Sequence, residues 1–223
     1  MRPVTFADRR EAGRLLAEKL RAYKDRRPVV LALPRGGVPV GYEIARALGA
    51  PLDIALVRKL GAPGQPELAI GAIALGEKPE IVTDQQLIAG LGVSPAVLAA
   101  IEQRELQELA RRRQCYRGDR PPLPLAGRTA IVVDDGIATG ASTRAALRSI
   151  RTARPARLVL AVPVAPPETL AELAAEADEI VCLARPHPFF SVGQFYRHFG
   201  QLEDREVLEL LEKAEKESSH DAP

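Results

Sequence analysis

The sequence predicts an α/β fold: a mostly parallel, twisted sheet flanked by helices on both faces, with a small hood added. Three observations carry this expectation. Short apolar runs at Val29 to Leu33, Leu52 to Val57, Ala130 to Val133, Leu158 to Val162 and Glu179 to Leu183 alternate with stretches of helical period. The 223 residues are 46% apolar, ample for a core of that size. Gly-rich or cationic segments follow several of the strands, at the carboxyl ends where such sheets bind ligands.

Each element has its own local signal. Asp8 followed by Glu11 makes a capping box, opening an amphipathic helix that runs to about Lys24. Val29 to Leu33, bounded by Pro28 and Pro34, reads as a buried strand, and Val38 to Leu48 as a helix stopped by Gly49. Leu52 to Val57 is a second strand, running into a Gly- and Pro-rich loop from Gly61 to Pro66. Ile70 to Leu75 and Glu80 to Thr83 pair as a hairpin around Gly76. Asp84 to Gly90 is a short helix, and Ser94-Pro95, an N-cap and a first-position proline, starts a long one to about Tyr116. A Pro-rich linker, Pro121 to Pro124, leads to the strand at Ile131, whose following helix ends near Pro155. Pro166 to Ala177 is the last crossover helix before the strand at Glu179. The chain is expected to form one domain over 1–223, with 184–200 as the hood and 213–223 as a polar tail.

Composition excludes several function classes. Lys plus Arg number 31 against 29 Asp plus Glu, a net charge of +2, so no global cationic field invites nucleic acid. Arg111, Arg112 and Arg113 form only a short basic run, read as a solvated helix face. Cys115 and Cys182 lie far apart, with neither zinc spacing nor a disulfide framework. Met1 to Arg14 is too polar for a secretory leader, and no apolar run approaches the ~20 residues of a membrane span, so a cytoplasmic location is expected. Neither a Gly-x-Ser-x-Gly elbow nor a catalytic Cys loop supports a hydrolase.

The most informative stretch is 130–143, Ala-Ile-Val-Val-Asp-Asp-Gly-Ile-Ala-Thr-Gly-Ala-Ser-Thr. Its apolar residues read as a buried strand, and Asp134 and Asp135 fall at the strand's carboxyl end. Carboxylates there can accept bonds from sugar hydroxyls or hold a cation. The small residues that follow let backbone N–H groups close around a phosphate, aided by hydroxyls and the next helix's N-terminus. An acid pair beside a phosphate nest suits a ribose 5-phosphate better than a bare phosphate. Gly136 and Gly140 are too close for a Walker A loop, and no Lys follows.

The segment resembles the signature of type I phosphoribosyltransferases, which bind phosphoribosyl pyrophosphate on a Rossmann-like sheet. The resemblance implies that Asp134 and Asp135 hold the ribose 2′ and 3′ hydroxyls. It implies that the loop Gly136, Ile137, Ala138, Thr139, Gly140, Ala141 and Ser142 wraps the 5-phosphate. Pro34-Arg35-Gly36-Gly37, between a strand and a helix, can approach an anion closely and resembles the family's pyrophosphate loop. Arg58-Lys59 fits a solvated strand end, and also looks like the Arg-Lys before the flexible Gly/Pro loop of adenine phosphoribosyltransferases, which closes over substrate. Glu67, at that loop's end, is either a surface residue or a group facing the reacting centre.

Five of the nine aromatics fall within 189–199, flanked by His187 and His198. They either pack the C-terminal helix or form a hood that stacks on a planar base, with Phe190 and Tyr196 the candidate rings. The implied reaction is attack of a nitrogenous, nucleobase-like acceptor on C1 of phosphoribosyl pyrophosphate, releasing pyrophosphate. Mg²⁺ would be carried mainly by the substrate pyrophosphate, and Arg35, Arg58 or Lys59 would neutralise the leaving group. Ala138 stands where 6-oxopurine members carry an Asp that contacts the ring, which argues against a hypoxanthine or guanine substrate and leaves the acceptor open. The longer match is to an uncharacterised bacterial group sharing Leu-Pro-Arg-Gly-Gly, Val-Arg-Lys-x-Gly-Ala-Pro-Gly and Asp-Asp-Gly-x-Ala-Thr-Gly-Ala-Ser. The competing reading is a non-catalytic phosphoribosyl pyrophosphate-binding regulator. Expected partners are the two small molecules and, in assembly, a homodimer; neither membrane nor nucleic acid is expected.

Overall fold

Local chemistry sets the element boundaries in the computed structural model, which describes residues 5–76 and 79–220, apart from the side chains of Glu67, Ser219 and His220. Asp8 caps α1 (Arg9–Lys19), its carboxylate accepting the Glu11 amide at 2.8 Å, while the Glu11 carboxylate accepts the Ala7 amide. The helix stops at Lys19, and a separate 3-10 turn, Arg21–Tyr23, takes up the rest of the predicted length. Then follow β1 (Pro28–Ala32), α2 (Gly37–Leu48) and β2 (Leu52–Ile54). The next strands are β3 (Val57–Ala62), β4 (Gln65–Leu75) and β5 (Pro79–Thr83). Asp84 caps α3 (Gln85–Gly90) and Ser94 caps α4 (Pro95–Arg117), as their sequence signals require. The chain continues through β6 (Thr129–Val133), α5 (Ala141–Thr152), β7 (Arg157–Val164), α6 (Pro167–Leu173), β8 (Glu179–Ala184) and α7 (Asp204–His220).

Five strands form one parallel sheet in the order β2-β1-β6-β7-β8, with Val30 opposite Ile131 and Ile131 opposite Val159. Every residue of β1 and β6 is buried, which is why these strands read as continuous apolar runs instead of alternating ones. Alternate residues nonetheless serve opposite faces. Val30, Ile131, Val133 and Val159 pack with Leu16, Leu20, Ile44 and Leu48 of the α1 and α2 layer. Val29, Leu31, Val132 and Leu160 pack with Ala146, Leu147, Leu170 and Leu173 of α5 and α6. Helices thus cover both faces, as predicted.

Two segments depart from the sequence reading. Leu52 to Val57 is not one strand: β2 ends at Ile54, and Val57 begins a second, antiparallel sheet in the order β3-β4-β5. The predicted flexible loop from Gly61 to Pro66 is mostly hairpin, because β3 and β4 pair to Ala62 opposite Gln65 with only Pro63 and Gly64 between. The predicted hairpin of β4 with β5 does form. The second departure is the C-terminus. Lys213 to His220, read as a polar tail, continues α7, with Val207, Leu211 and Ala214 buried in a cluster that also holds Tyr42, Ile54, Leu60 and Leu109. Residues 221–223 lie outside the described residues. No helix among the described residues is long and apolar enough to cross a membrane.

Candidate functional site

Strand β6 delivers Asp134 and Asp135 to the carboxyl edge of the sheet, between the loops that follow β1 and β7. The Leu33 amide donates to the Val133 carbonyl at 2.8 Å, which brings residues 34–37 alongside the acid pair. The contact is close. A Cβ placed on Gly36 would lie 2.0 Å from Asp135 Oδ2, and one on Gly37 would lie 2.6 Å from the Val133 carbonyl oxygen and 3.0 Å from the Asp134 Cα. Glycine at 36 lets the loop backbone touch the Asp135 carboxylate, and glycine at 37 lets it lie against the main chain of Val133 and Asp134. The Asp135 amide donates to Asp134 Oδ1 at 2.8 Å. Burial, then repulsion from Asp135, pushes the Asp134 carboxyl well above the ordinary carboxylate range. Burial also raises Asp135, opposed by Arg9, whose Nε donates to Asp135 Oδ2 at 2.7 Å.

The next turn builds a concave backbone. The Ile137 amide donates to the Val164 carbonyl at 2.9 Å, and the buried Ile137 side chain anchors the loop in the core. The Thr169 hydroxyl donates to the Ala138 carbonyl at 2.7 Å, fixing the far side of the loop to α6. Gly140 closes the turn in the left-handed region at φ 76°, a conformation favouring glycine, and no side chain caps α5 behind it. The first-turn N–H groups of Ala141, Ser142 and Thr143 have no partner within the helix by construction, so this end suits an anion. Ala138 and Thr139 are exposed and Ser142 is half-buried, all at the mouth of the turn.

The cationic candidates are differently placed. Arg35 is exposed, and its nearest carboxylate is Asp204 of α7, 3.9 Å away; the same Asp204 oxygen accepts the Tyr116 phenol. Arg58 lies in β3 and not in a loop, and its guanidinium is held 2.7 Å from Glu105, a buried acid of α4. Lys59, next in β3, is half-buried. Glu67 falls in β4 by its backbone, with its side chain outside the description. Of the aromatics, Phe190 is 81% exposed, whereas Tyr196 is 6% exposed and packs against Phe6 and Phe199. The Tyr196 ring therefore has no open face for a base. Its phenol, kept protonated by burial, donates to the Asp135 carbonyl. Residues 195–197 are stitched to Phe6: the Phe6 amide donates to the Phe195 carbonyl and the Arg197 amide to the Phe6 carbonyl, both at 2.8 Å.

Acid pair, glycine loop and uncapped helix end thus converge at one sheet edge, in the order that the sequence predicts. The profile of the phosphoribosyl transferase domain matches residues 7–195, which include all three. The chain belongs to the phosphoribosyl transferase family. A Mycobacterium tuberculosis protein named as a phosphoribosyl transferase is 48% identical over 212 residues, covering 95% of this chain and 47% of that protein. This phosphoribosyl transferase chain therefore spans about half the length of the curated relatives it matches. The crystal structure of TT1426 from Thermus thermophilus superposes with a TM-score of 0.78 at 44% identity, over 94% of this chain and 98% of that one. A Neisseria gonorrhoeae protein solved with bound ppGpp shares the fold alone, with a TM-score of 0.51 and 15% identity over 95% of each chain.

Arg9, Glu105, Asp204 and Thr169 escaped the sequence reading. Each acts through a partner distant in the chain, and Arg9 is 126 residues from Asp135. Local pattern carries no signal for such pairs.

Proposed function

We propose that this chain binds phosphoribosyl pyrophosphate and transfers its phosphoribosyl group to a nitrogen of a small, planar acceptor, releasing pyrophosphate. The observation that carries the reading is the contact of the acid pair with Gly36 and Gly37, beside the uncapped start of α5. Asp134 and Asp135 take the ribose hydroxyls. The backbone N–H groups of 137–142, with the Thr139 and Ser142 hydroxyls, take the 5-phosphate. Gly36 and Gly37 let the 34–37 backbone lie against the diphosphate, with the Arg35 guanidinium beside it. Three fixed groups on one substrate hold C1 in line with the incoming nitrogen, and the hood with Phe190 shields that approach from water.

Among the described residues no three His, Cys, Asp or Glu gather as a metal cage. Two carboxylates beside a diphosphate subsite instead fit Mg²⁺ held mainly by substrate oxygens. When bound, that ion offsets negative charge developing on the leaving diphosphate. The chain's own part is orientation and electrostatic stabilisation as C1 acquires positive character. Ala138 presents a methyl group that neither gives nor takes a proton, so the acceptor is of the adenine or pyrimidine kind more than of the 6-oxopurine kind.

A second reading is a phosphoribosyl pyrophosphate sensor without catalysis. It is favoured by one observation: Arg58, a candidate for the leaving group, is held by Glu105. One experiment separates the two. Calorimetric titration with phosphoribosyl pyrophosphate and Mg²⁺ should show binding, and a pyrophosphate-release screen over purines, pyrimidines and other nitrogen acceptors should give one that turns over. Binding with no release across the panel favours the sensor. Absence of binding overturns both.

A further inference from the structure

The parallel sheet ends in the acid pair at its carboxyl edge, but its amino edge is cationic, which the net charge of +2 conceals. The chain enters β1 through Lys24, Asp25, Arg26 and Arg27, enters β6 through Arg128, and enters β7 through Arg154, with Arg157 as the first strand residue. Arg157 is offset by Glu179 at 2.8 Å, and Arg151 by Asp178 at 3.0 Å. Lys24, Arg26, Arg27, Arg128 and Arg154 have no ion pair among the described residues, and Asp25 is the one acid in their segments. Pro28 lies opposite Thr129, and Thr129 opposite Arg157, so these cationic lead-ins belong to three neighbouring strands, ~4.8 Å apart.

The arginines are built into this edge. Arg128 Nε donates to the Arg27 carbonyl and its Nη2 to the Pro28 carbonyl, each at 3.2 Å, which leaves three of the five guanidinium N–H groups for a ligand. Arg128 is half-buried, and burial, then the Arg27 charge, work against its cation. Arg27 and Arg154 are the only non-glycine residues with positive φ among the described residues, at 51° and 53°, a conformation that strains any residue with a Cβ. Two strained arginines thus flank a partly desolvated third, with no acid to offset any of them. An anion supplies what is missing. We propose that this edge binds the phosphate backbone of a nucleic acid strand, with Arg27, Arg128 and Arg154 on neighbouring phosphates and no base read. The guanidinium fork matches a phosphate's oxygens. Tyr23, the one aromatic in segments 21–27, 126–128 and 153–157, is buried and leaves no ring to stack on a base. No large hydrophobic side chain is exposed in those segments, so the surface lacks the apolar centre of a protein interface. Five-residue strands put the two edges ~16 Å apart, so a bound strand leaves the acid pair open.

Fluorescence anisotropy with a labelled single-stranded RNA of about twenty nucleotides, over a salt series, tests the proposal. Wild type should bind at low salt, and log K should fall against log salt with a slope of about −2, as three phosphate contacts require. Asparagine accepts the left-handed region, so the double variant Arg27→Asn, Arg154→Asn should fold with an equal or higher melting temperature. It should nevertheless bind RNA roughly tenfold more weakly, with a slope near about −0.7. Arg205→Gln, which removes an 80% exposed charge from α7, should bind as wild type does. No binding by wild type, an unchanged slope in the double variant, or an equal loss in Arg205→Gln overturns the proposal. Binding to vesicles of anionic phospholipid without binding to RNA also overturns it, and assigns the edge to a membrane surface.

Discussion

Asp134 sits where a carboxylate is costly. Burial and the adjacent Asp135 raise its carboxyl above the ordinary value. Between the unfolded value of about 3.9 and the raised one, the folded chain holds a proton that the unfolded chain has lost, so stability falls as pH rises through that window. Below the window both states are protonated and nothing is lost. Asp134→Asn keeps the oxygen that accepts the Asp135 amide and removes the carboxyl that must hold a proton on folding. The variant should match wild type in melting temperature near pH 4, exceed it at neutral pH, and bind phosphoribosyl pyrophosphate more weakly. Thermal melts at the two pH values check this; equal melting at both would mean that Asp134 carries no penalty. The acid pair was legible because adjacency itself is the signal, and Gly36 was legible because a Gly-Gly after a strand leaves room for something. That the something is the Asp135 carboxylate, held in turn by Arg9, is a fact of tertiary contact that no local pattern contains.

The hairpin of β3 and β4 shows how an element can be misread from correct punctuation. Gly61, Pro63, Gly64 and Pro66 look like loop residues, and each has a different job. Gly64 takes the positive φ of 73° in a two-residue turn. Gly61 lies at an irregularity in register, where a Cβ would come 2.6 Å from the Pro66 carbonyl oxygen. Pairing partners decide between loop and ladder, and they lie outside any short window. The same hairpin explains Glu105. Its carboxylate meets Arg58 from across the α4 contact and takes a second bond from Arg104 at 3.1 Å. Arg58 is 32% exposed, so solvent screens the pair and the effect is smaller than for a wholly buried one. Glu105→Ala should cost about 2 kcal/mol, or ~4–8 °C in melting temperature. Replacing both Arg58 and Glu105 by Leu should regain most of that loss, because no unpaired charge remains. A single-variant loss under about 0.5 kcal/mol would class the pair with ordinary surface bridges.

At the scale of the molecule, the parallel sheet was the most legible feature, since strands buried on both faces leave continuous apolar runs such as Ala130 to Val133. Helix α7 was not, because its exposed face is polar while Val207, Leu211 and Ala214 mark the buried one only in retrospect. The proposed site draws on three separate parts of this frame: the 34–37 loop after β1, the acid pair after β6 and the start of α5. A ligand reaching all three should stabilise the fold more than its fragments do, because joining the fragments avoids immobilising each one separately. At one hundred times its Kd, phosphoribosyl pyrophosphate with Mg²⁺ should add ~2.7 kcal/mol, a rise of roughly 5–11 °C in melting temperature. At equal concentrations, ribose 5-phosphate and pyrophosphate should each give much smaller shifts, and their mixture should fall short of the intact substrate. If pyrophosphate alone matched the whole molecule, only the 34–37 loop would be engaged, and the acid pair would have no ribose to hold. If ribose 5-phosphate alone matched it, the acid pair and α5 would be a sugar-phosphate site, and Gly36 and Gly37 would be there only to make room for Asp135 and for the end of β6.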